Sequence, residues 1–235
     1  KRKILMKKRI LILVFITTAG SSKKDQRYVP DSNGNLNQVT VVMNNTQWEG
    51  VLGDAVRDEI ATIYEGLPMD EPRFSLKQLH PKAFDGFARN SRNILWFKKD
   101  SIASFDLRQD QFAKPQIVAF FKGEDQELMA EYVRENATLI QGLFQENERK
   151  EKLRRIKKAK AKENTLEDRF NISLTYPSAY KTVKDTTNFI WIEKPVQKGT
   201  LNLIVYTLPL KKVSSNPLTQ IKNMRDSIGK LYVPG

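Results

Sequence analysis

The sequence contains no cysteine and a single histidine, His80. The lack of cysteine excludes disulfide bonds, thiol nucleophiles and metal sites that depend on thiolate ligands. A lone histidine directly before Pro81 has no second imidazole with which to share a metal ion, so a surface or turn position is the simpler expectation. Glycine-rich nucleotide-binding motifs and the Gly-x-Ser-x-Gly elbow of hydrolases are also absent. We therefore expect a protein that is not an enzyme and needs no cofactor.

The formal net charge is +13, but it is concentrated in two segments. Residues 1–20 contain six bases and no acid, and nine bases against four acids lie between residues 146 and 163. The rest of the chain carries only about +2. No broad basic face is required, so nucleic acid is not the expected partner.

Residues 1–20 have the organisation of a secretory signal peptide, with basic residues, an apolar run at 10–16 and small residues. The run is too short to span a bilayer, which takes about 20 apolar residues. Thr-Ala-Gly at 18–20 is also the approach to a bacterial lipid-attachment site, where the next residue would be the lipidated cysteine. Ser21 occupies that position, so attachment to the outer membrane requires a cysteine there in the native protein. Residues 21–37 are polar and rich in turn formers, which predicts a tether.

A single long helix is predicted from about residue 124 to residue 168. Its first half has apolar residues at three- and four-residue steps, which indicates packing against a core. Its second half is nearly all charged, with acids four residues before bases, as in Glu146 and Lys150. We interpret residues 146–168 as an exposed charged helix and expect it to bind an envelope protein. A solvated face without a partner, an anionic membrane contact and nucleic-acid binding are the alternatives.

Three short blocks of sequence recur in the same order, 95 or 96 residues apart. They are Arg-Phe at 73 and 169, Pro-Lys-Ala-Phe at 81 and Pro-Ser-Ala-Tyr at 177, and Asn-Ile-Leu-Trp at 93 and Asn-Phe-Ile-Trp at 188. The blocks place Trp96 and Trp191 at matching positions, where core packing is expected. Strands in the later copy are predicted at 170–175, 188–193 and 201–208. The recurrence indicates an internal duplication.

The predicted fold class is α+β, with two related modules that share the long central helix. Each module is expected to combine helices with a three-stranded antiparallel sheet. Along the chain we assign a signal peptide at 1–20, a tether at 21–37, a first α+β module at 38–145, the exposed charged helix at 146–168, and a second α+β module at 169–235 that is incomplete at its carboxyl end.

The most concentrated polar cluster consists of Arg89, Asn90, Arg92 and Asn93. It lies between an aromatic turn at 84–87 and the strongest predicted strand. Two guanidinium groups with side-chain amides have the chemistry to bind a carboxylate or a phosphate. The same groups can instead satisfy backbone atoms around the turn, so both interpretations stay open.

Four runs carry a resemblance to a known family. They are YVPDSNG at 28–34, VVM at 41–43, GLP at 66–68 and, most specifically, GFARNSRNI at 86–94. Over essentially its whole length the chain resembles a family of Bacteroidota lipoproteins catalogued as domain of unknown function 4837. The resemblance implies a lipid-anchored envelope protein with no assigned activity, whose sequence runs on beyond the position of Gly235. Lys23 and Lys24 stand where surface-exported lipoproteins of this group carry acids, which implies the periplasmic face of the outer membrane.

The expected function is that of a cell-envelope lipoprotein, a non-enzymatic interaction or scaffold module of the outer membrane that faces the periplasm. The alternative is a small anionic ligand site or an enzymatic site at Arg89, Asn90, Arg92 and Asn93.

Overall fold

The larger of two sheets has five strands, in a computed structural model that describes residues 28–67, 69–209 and 215–233. The strands are β1 (Gln38–Val42), β2 (Ser75–Leu79), β3 (Asn93–Lys98), β4 (Ser104–Gln109) and β5 (Ile117–Lys122), arranged in the order β2-β1-β3-β5-β4. All pairs are parallel except that of β4 with β5. Because β5 is covered on both faces, its first five residues are a continuous buried apolar run.

Helices cover one face of this sheet and short turns cover the other. The helices are α1 (Asn45–Glu49), α2 (Val51–Ile60) and α3 (Gln126–Lys158). The apolar stripe of α3, which includes Val133, Ile140 and Phe144, meets the sheet in the main core. On the opposite face, two 3-10 turns at Pro81–Ala83 and Gly86–Asn90 lie over a smaller, aromatic-rich core.

The smaller sheet consists of three antiparallel strands. They are β6 (Lys181–Thr186), β7 (Phe189–Val196) and β8 (Gly199–Tyr206), preceded by α4 (Thr165–Phe170) and followed by α5 (Pro217–Tyr232). Leu166 of α4 packs with Ile190 and Ile192 of β7. We call residues 28–158 the first unit and residues 159–233 the second unit. Helix α5 contacts both, because Tyr232 stacks on Phe189 and Arg225 donates a hydrogen bond to the carbonyl of Gly66 at 2.6 Å.

The α+β class and the long central helix are confirmed, but the antiparallel three-stranded sheet predicted for the first module is wrong. The helical crossover between β1 and β2 returns the chain in the same direction, and a parallel pair results. Trp96 lies on β3 between two parallel neighbours, whereas Trp191 lies on β7 between two antiparallel neighbours. Two related modules are therefore not confirmed.

The central helix is not continuous from residue 124 to residue 168, because α3 ends at Lys158 and α4 begins at Thr165. In the intervening linker, Ala161 N donates to Tyr176 O at 2.9 Å, and Ser178 N donates to Ala159 O at 2.8 Å. These hydrogen bonds to residues beyond α4 replace the backbone hydrogen bonds that would continue α3 past Lys158. The strand predicted at 170–175 is also wrong, since α4 includes residue 170 and residues 171–175 join neither sheet.

The tether predicted at 21–37 is wrong for residues 30–37, which are bonded to the first unit. Ser32 N donates to Lys114 O at 3.0 Å, and Asn33 N donates to Asn90 O at 2.8 Å. The predicted signal peptide and Ser21 lie outside the described residues. Within the described ranges, no helix has the length and apolar character needed to cross a membrane.

Candidate interaction surface

Arg92, the centre of the predicted polar cluster, is almost completely buried, with 2% of its surface exposed. Its Nε donates to Glu148 Oε1 on α3 at 2.8 Å, and its Nη2 donates to Asn35 O at 2.8 Å. The guanidinium group therefore connects α3 to the segment before β1. It is not available at the surface.

Glu148 accepts two further hydrogen bonds in this buried cluster. Asn93 Nδ2 donates to its Oε1 at 2.8 Å, and the amide of Asn37 donates to its Oε2 at 2.9 Å. Asn147 completes the arrangement by donating to Asn93 Oδ1 at 3.0 Å. A buried carboxylate is tolerated when it is paired with a cation and its oxygens accept hydrogen bonds, as they do here. These hydrogen bonds connect α3 to β3 and to the segment before β1.

The other two members of the predicted site lie elsewhere. Arg89 donates from Nε to Phe84 O at 3.2 Å and lies over the ring of Phe112, while the backbone carbonyl of Asn90 accepts from the N-terminal segment. The two guanidinium groups do not converge on one ligand position. The cluster also lies at the amino end of β3, whereas open α/β sheets bind ligands beyond the carboxyl ends of their strands. The anionic-ligand site remains a prediction that the geometry does not favour.

The charged second half of α3 is exposed only in part, which corrects the prediction for residues 146–168. Asn147, Glu148 and Glu151 are buried, so two acids of this segment point inward while its bases remain outside. Hydrogen bonds from Arg154, with a further contribution from Arg155, lower the pKa of the Glu151 carboxyl from 4.5 to about 2. Its negative charge is thus used within the protein.

Five lysines at this end of the molecule keep their charge unpaired. In the described part of the chain none of them has an acidic side chain within ion-pair distance, and all are exposed; they are Lys152, Lys157, Lys158, Lys160 and Lys162, which we call the basic surface. By contrast, Arg149 and Lys150 pair with Glu146, at 2.7 and 3.6 Å. The basic surface therefore presents a net positive field to solvent.

A groove of about 880 Å³ opens beside the basic surface, between the linker that follows α3 and the chain that leads into β6. Four of the five lysines and Lys181 line it, against two acids, Glu163 and Glu167. Burial, together with the nearby negative charge of Glu163, raises the pKa of the Tyr176 hydroxyl at the same place. Among the described residues, no group of three or more histidine, aspartate or glutamate side chains is placed to hold a metal ion. The excess of lysines over acids suits the groove to an anionic ligand.

Sequence reasoning did not find the buried acids, although a signal was present. Asn147, Glu148 and Glu151 continue the three- and four-residue spacing of the apolar stripe that passes through Ile140 and Phe144. Residues on one helical face share one environment, so polar residues on this stripe predict buried polar partners. The i,i+4 spacing of acids and bases on the same helix predicted exposed ion pairs instead, so the burial of Glu148 and Glu151 was not expected.

Fold and surface together define a two-unit α+β protein with a basic groove at the junction of its units. The chain belongs to the family described as domain of unknown function (DUF8532), which matches residues 32–157, more than half of its length. A second family, domain of unknown function (DUF4837), matches residues 159–235. The two matches meet at the end of α3.

The predicted resemblance to domain of unknown function 4837 is confirmed for residues 159–235 only. The runs at 41–43, 66–68 and 86–94, on which the resemblance was based, lie in the part matched by the other family. Neither curated proteins nor solved structures provided a match to the chain.

Proposed function

We propose that the protein is a non-enzymatic interaction module of the cell envelope, which docks an acidic partner protein through its basic surface. In this proposal it faces the periplasm at the outer membrane and is attached there by a lipid at position 21 when that residue is cysteine. The observation that carries the proposal is the segregation of charge on α3. Glu148 and Glu151 are buried and bonded within the protein, whereas the five lysines nearby have no acidic partner among the described residues.

This segregation favours recognition over a stabilising role for the lysines. Surface ion pairs contribute at most about 1 kcal/mol, and unpaired like charges close together contribute a repulsion instead. A surface that keeps such charges gains most when a partner of opposite sign approaches, because electrostatic complementarity raises the association rate and excludes wrong partners.

The position of the N-terminal segment supports attachment close to the membrane. Since residues 30–37 are bonded to the first unit, only residues 22–29 separate position 21 from the folded body. The nine residue steps from 21 to 30 span at most about 32 Å when fully extended. A lipid at position 21 would therefore hold the body, with its basic surface, next to the bilayer.

The internal duplication is not needed for this function. The two units have different sheet topologies and match different families, so the repeated blocks at 73–97 and 169–192 remain a prediction about the origin of the chain.

Capture from detergent-solubilised envelopes tests the proposal. We expect the wild-type chain to retain an acidic envelope protein, and the triple variant Lys152→Glu, Lys157→Glu, Lys158→Glu to lose it. The matched control is Lys77→Glu, Lys82→Glu, Lys98→Glu, which reverses three exposed lysines of the first unit and should capture as the wild type does. Capture should weaken as salt screens the charges.

Recovery of the chain alone, or equal capture by both triple variants, would contradict the proposal. Capture of nucleic acid or of anionic vesicles in place of a protein would also contradict it. Melting curves followed by circular dichroism establish that both variants are folded.

A further inference from the structure

The wall of the groove opposite the linker is an extended segment with unused backbone groups. Residues 171–175 belong to neither sheet, and the amides of Ser173, Leu174 and Thr175 make no hydrogen bond within the described part of the chain. The sequence favours a strand here, since β-branched and apolar residues alternate with polar ones. An exposed extended segment with free N–H and C=O groups is a template for another strand.

The side chains of this wall alternate in the same way. Ile172 and Leu174 are 41% and 39% exposed and line the groove, as does the largely buried Tyr176. Side chains two residues apart in an extended chain point to the same side, so these three form an apolar row. Lys157 and Lys158 of α3 and Lys160 and Lys162 of the linker line the same groove.

We propose that the groove binds an extended acidic peptide segment of the partner protein, which adds as a strand along residues 173–175. Backbone hydrogen bonds to this wall supply affinity that does not depend on sequence. Carboxylates on the peptide pair with Lys157, Lys158, Lys160 and Lys162, and apolar residues that alternate with them pack on Ile172 and Leu174. This inference rests on the proposed function in that the partner protein supplies the segment.

The shape of the site favours a peptide over a small anion. These lysines extend from the end of α3 into the linker, over residues 157–162, so one phosphate or carboxylate engages fewer of them than a strand that passes along the groove. The apolar row gives a small inorganic anion no contact, and a peptide with alternating side chains uses both walls. Strand pairing to an exposed edge is a recurrent mode of peptide recognition.

The experiment titrates the whole chain with a short fluorescent peptide in which glutamate alternates with valine. We expect saturable binding, and loss of binding when lysine replaces glutamate in the peptide. When alternate amides on the pairing edge of the peptide are N-methylated, we expect the affinity to fall by about tenfold or more. Leu174→Ser should weaken binding, whereas Leu208→Ser, at another exposed leucine, should not. Lys160→Glu with Lys162→Glu should abolish it.

Failure to bind the peptide, or equal binding of the N-methylated peptide, would overturn the inference. Dimers that form with concentration and disappear in the Leu174→Ser variant would show that a second copy occupies the groove, which also overturns it. If lysine-dependent capture of an envelope protein persists while the peptide fails, the proposed function stands without this inference. If the peptide binds as expected and capture fails, the groove assignment stands and the proposed function falls.

Discussion

The two sheets differ in how completely their faces are covered. The five-stranded sheet has helices on one face and an aromatic-rich cluster on the other, and its central strand β3 is almost entirely buried. The three-stranded sheet is covered more sparsely, and the first four residues of β8 are exposed, including Leu201 at 47%. A parallel sheet requires two covered faces, whereas an antiparallel sheet tolerates one wet face.

The core of the first unit is also larger than the core of the second unit. Among the described residues, eighteen buried apolar side chains form the main core of the first unit, and four form the core of the second unit. Stability grows with buried apolar area, so the first unit holds most of the free energy of folding. The groove lies where the units meet, and its unpaired wall at 171–175 belongs to the second unit, which has the smaller core. Binding surfaces are commonly found in the less stable regions of a protein, because a fully packed and hydrogen-bonded region has no free groups with which to bind a partner.

The largest expected effect tests whether the first unit depends on its buried ion cluster. Glu148→Leu leaves the charge of Arg92 and the amide of Asn37 buried without their acceptor, so we expect the free energy of unfolding to fall by about 3–5 kcal/mol. Urea denaturation measures it. The double variant Arg92→Leu, Glu148→Leu removes both charges and should recover part of the loss. A loss below about 1 kcal/mol in the single variant would show that the pair behaves like a surface pair.

The next effect compares the same substitution in both sheets. Ile94→Ala on β3 should cost about 2–5 kcal/mol of global stability, because the residue is fully buried in the first unit. Ile192→Ala on β7 should leave global unfolding nearly unchanged and should accelerate hydrogen exchange only in the second unit. Exchange measured by mass spectrometry resolves the two units. Equal acceleration across both units after Ile192→Ala would show that they unfold together.

The smallest expected effect is on the pH dependence of the free energy of unfolding. Since the pKa of Glu151 is lowered to about 2 in the folded chain, its contribution is present above the unfolded pKa near 4.5 and is lost as pH falls towards 2. Glu151→Gln should flatten the dependence of unfolding free energy on pH between about 4.5 and 2, measured by denaturant titration. Glu146, whose pKa is also lowered to about 2, is 44% exposed at its side chain, so Glu146→Gln should flatten it less. If both variants flatten the pH dependence equally, the buried Glu151 and the exposed Glu146 contribute equally to stability, which contradicts this prediction.

Much of the local structure was predictable from the sequence. The helix that carries the apolar stripe through Val133 and Ile140 and the strands at 188–193 and 201–208 follow from periodicity, because the spacing of apolar residues reports which side of an element is buried. The candidate site was not predictable to the same degree. Arg92 belongs to an ion cluster with Glu148, 56 residues later in the chain, and no local pattern joins the two.

The sequence by itself determined the elements, their apolar faces and the concentration of lysines near the end of α3, since each depends on neighbouring residues along the chain. Only the tertiary structure decided that four strands pair in parallel, that the central helix stops at Lys158, and that the wall at 171–175 has no strand beside it. The physical reason is competition for backbone hydrogen bonds. Residues 159–161 bond to residues 176–178 instead of continuing the helix, and that choice depends on segments that meet only after folding.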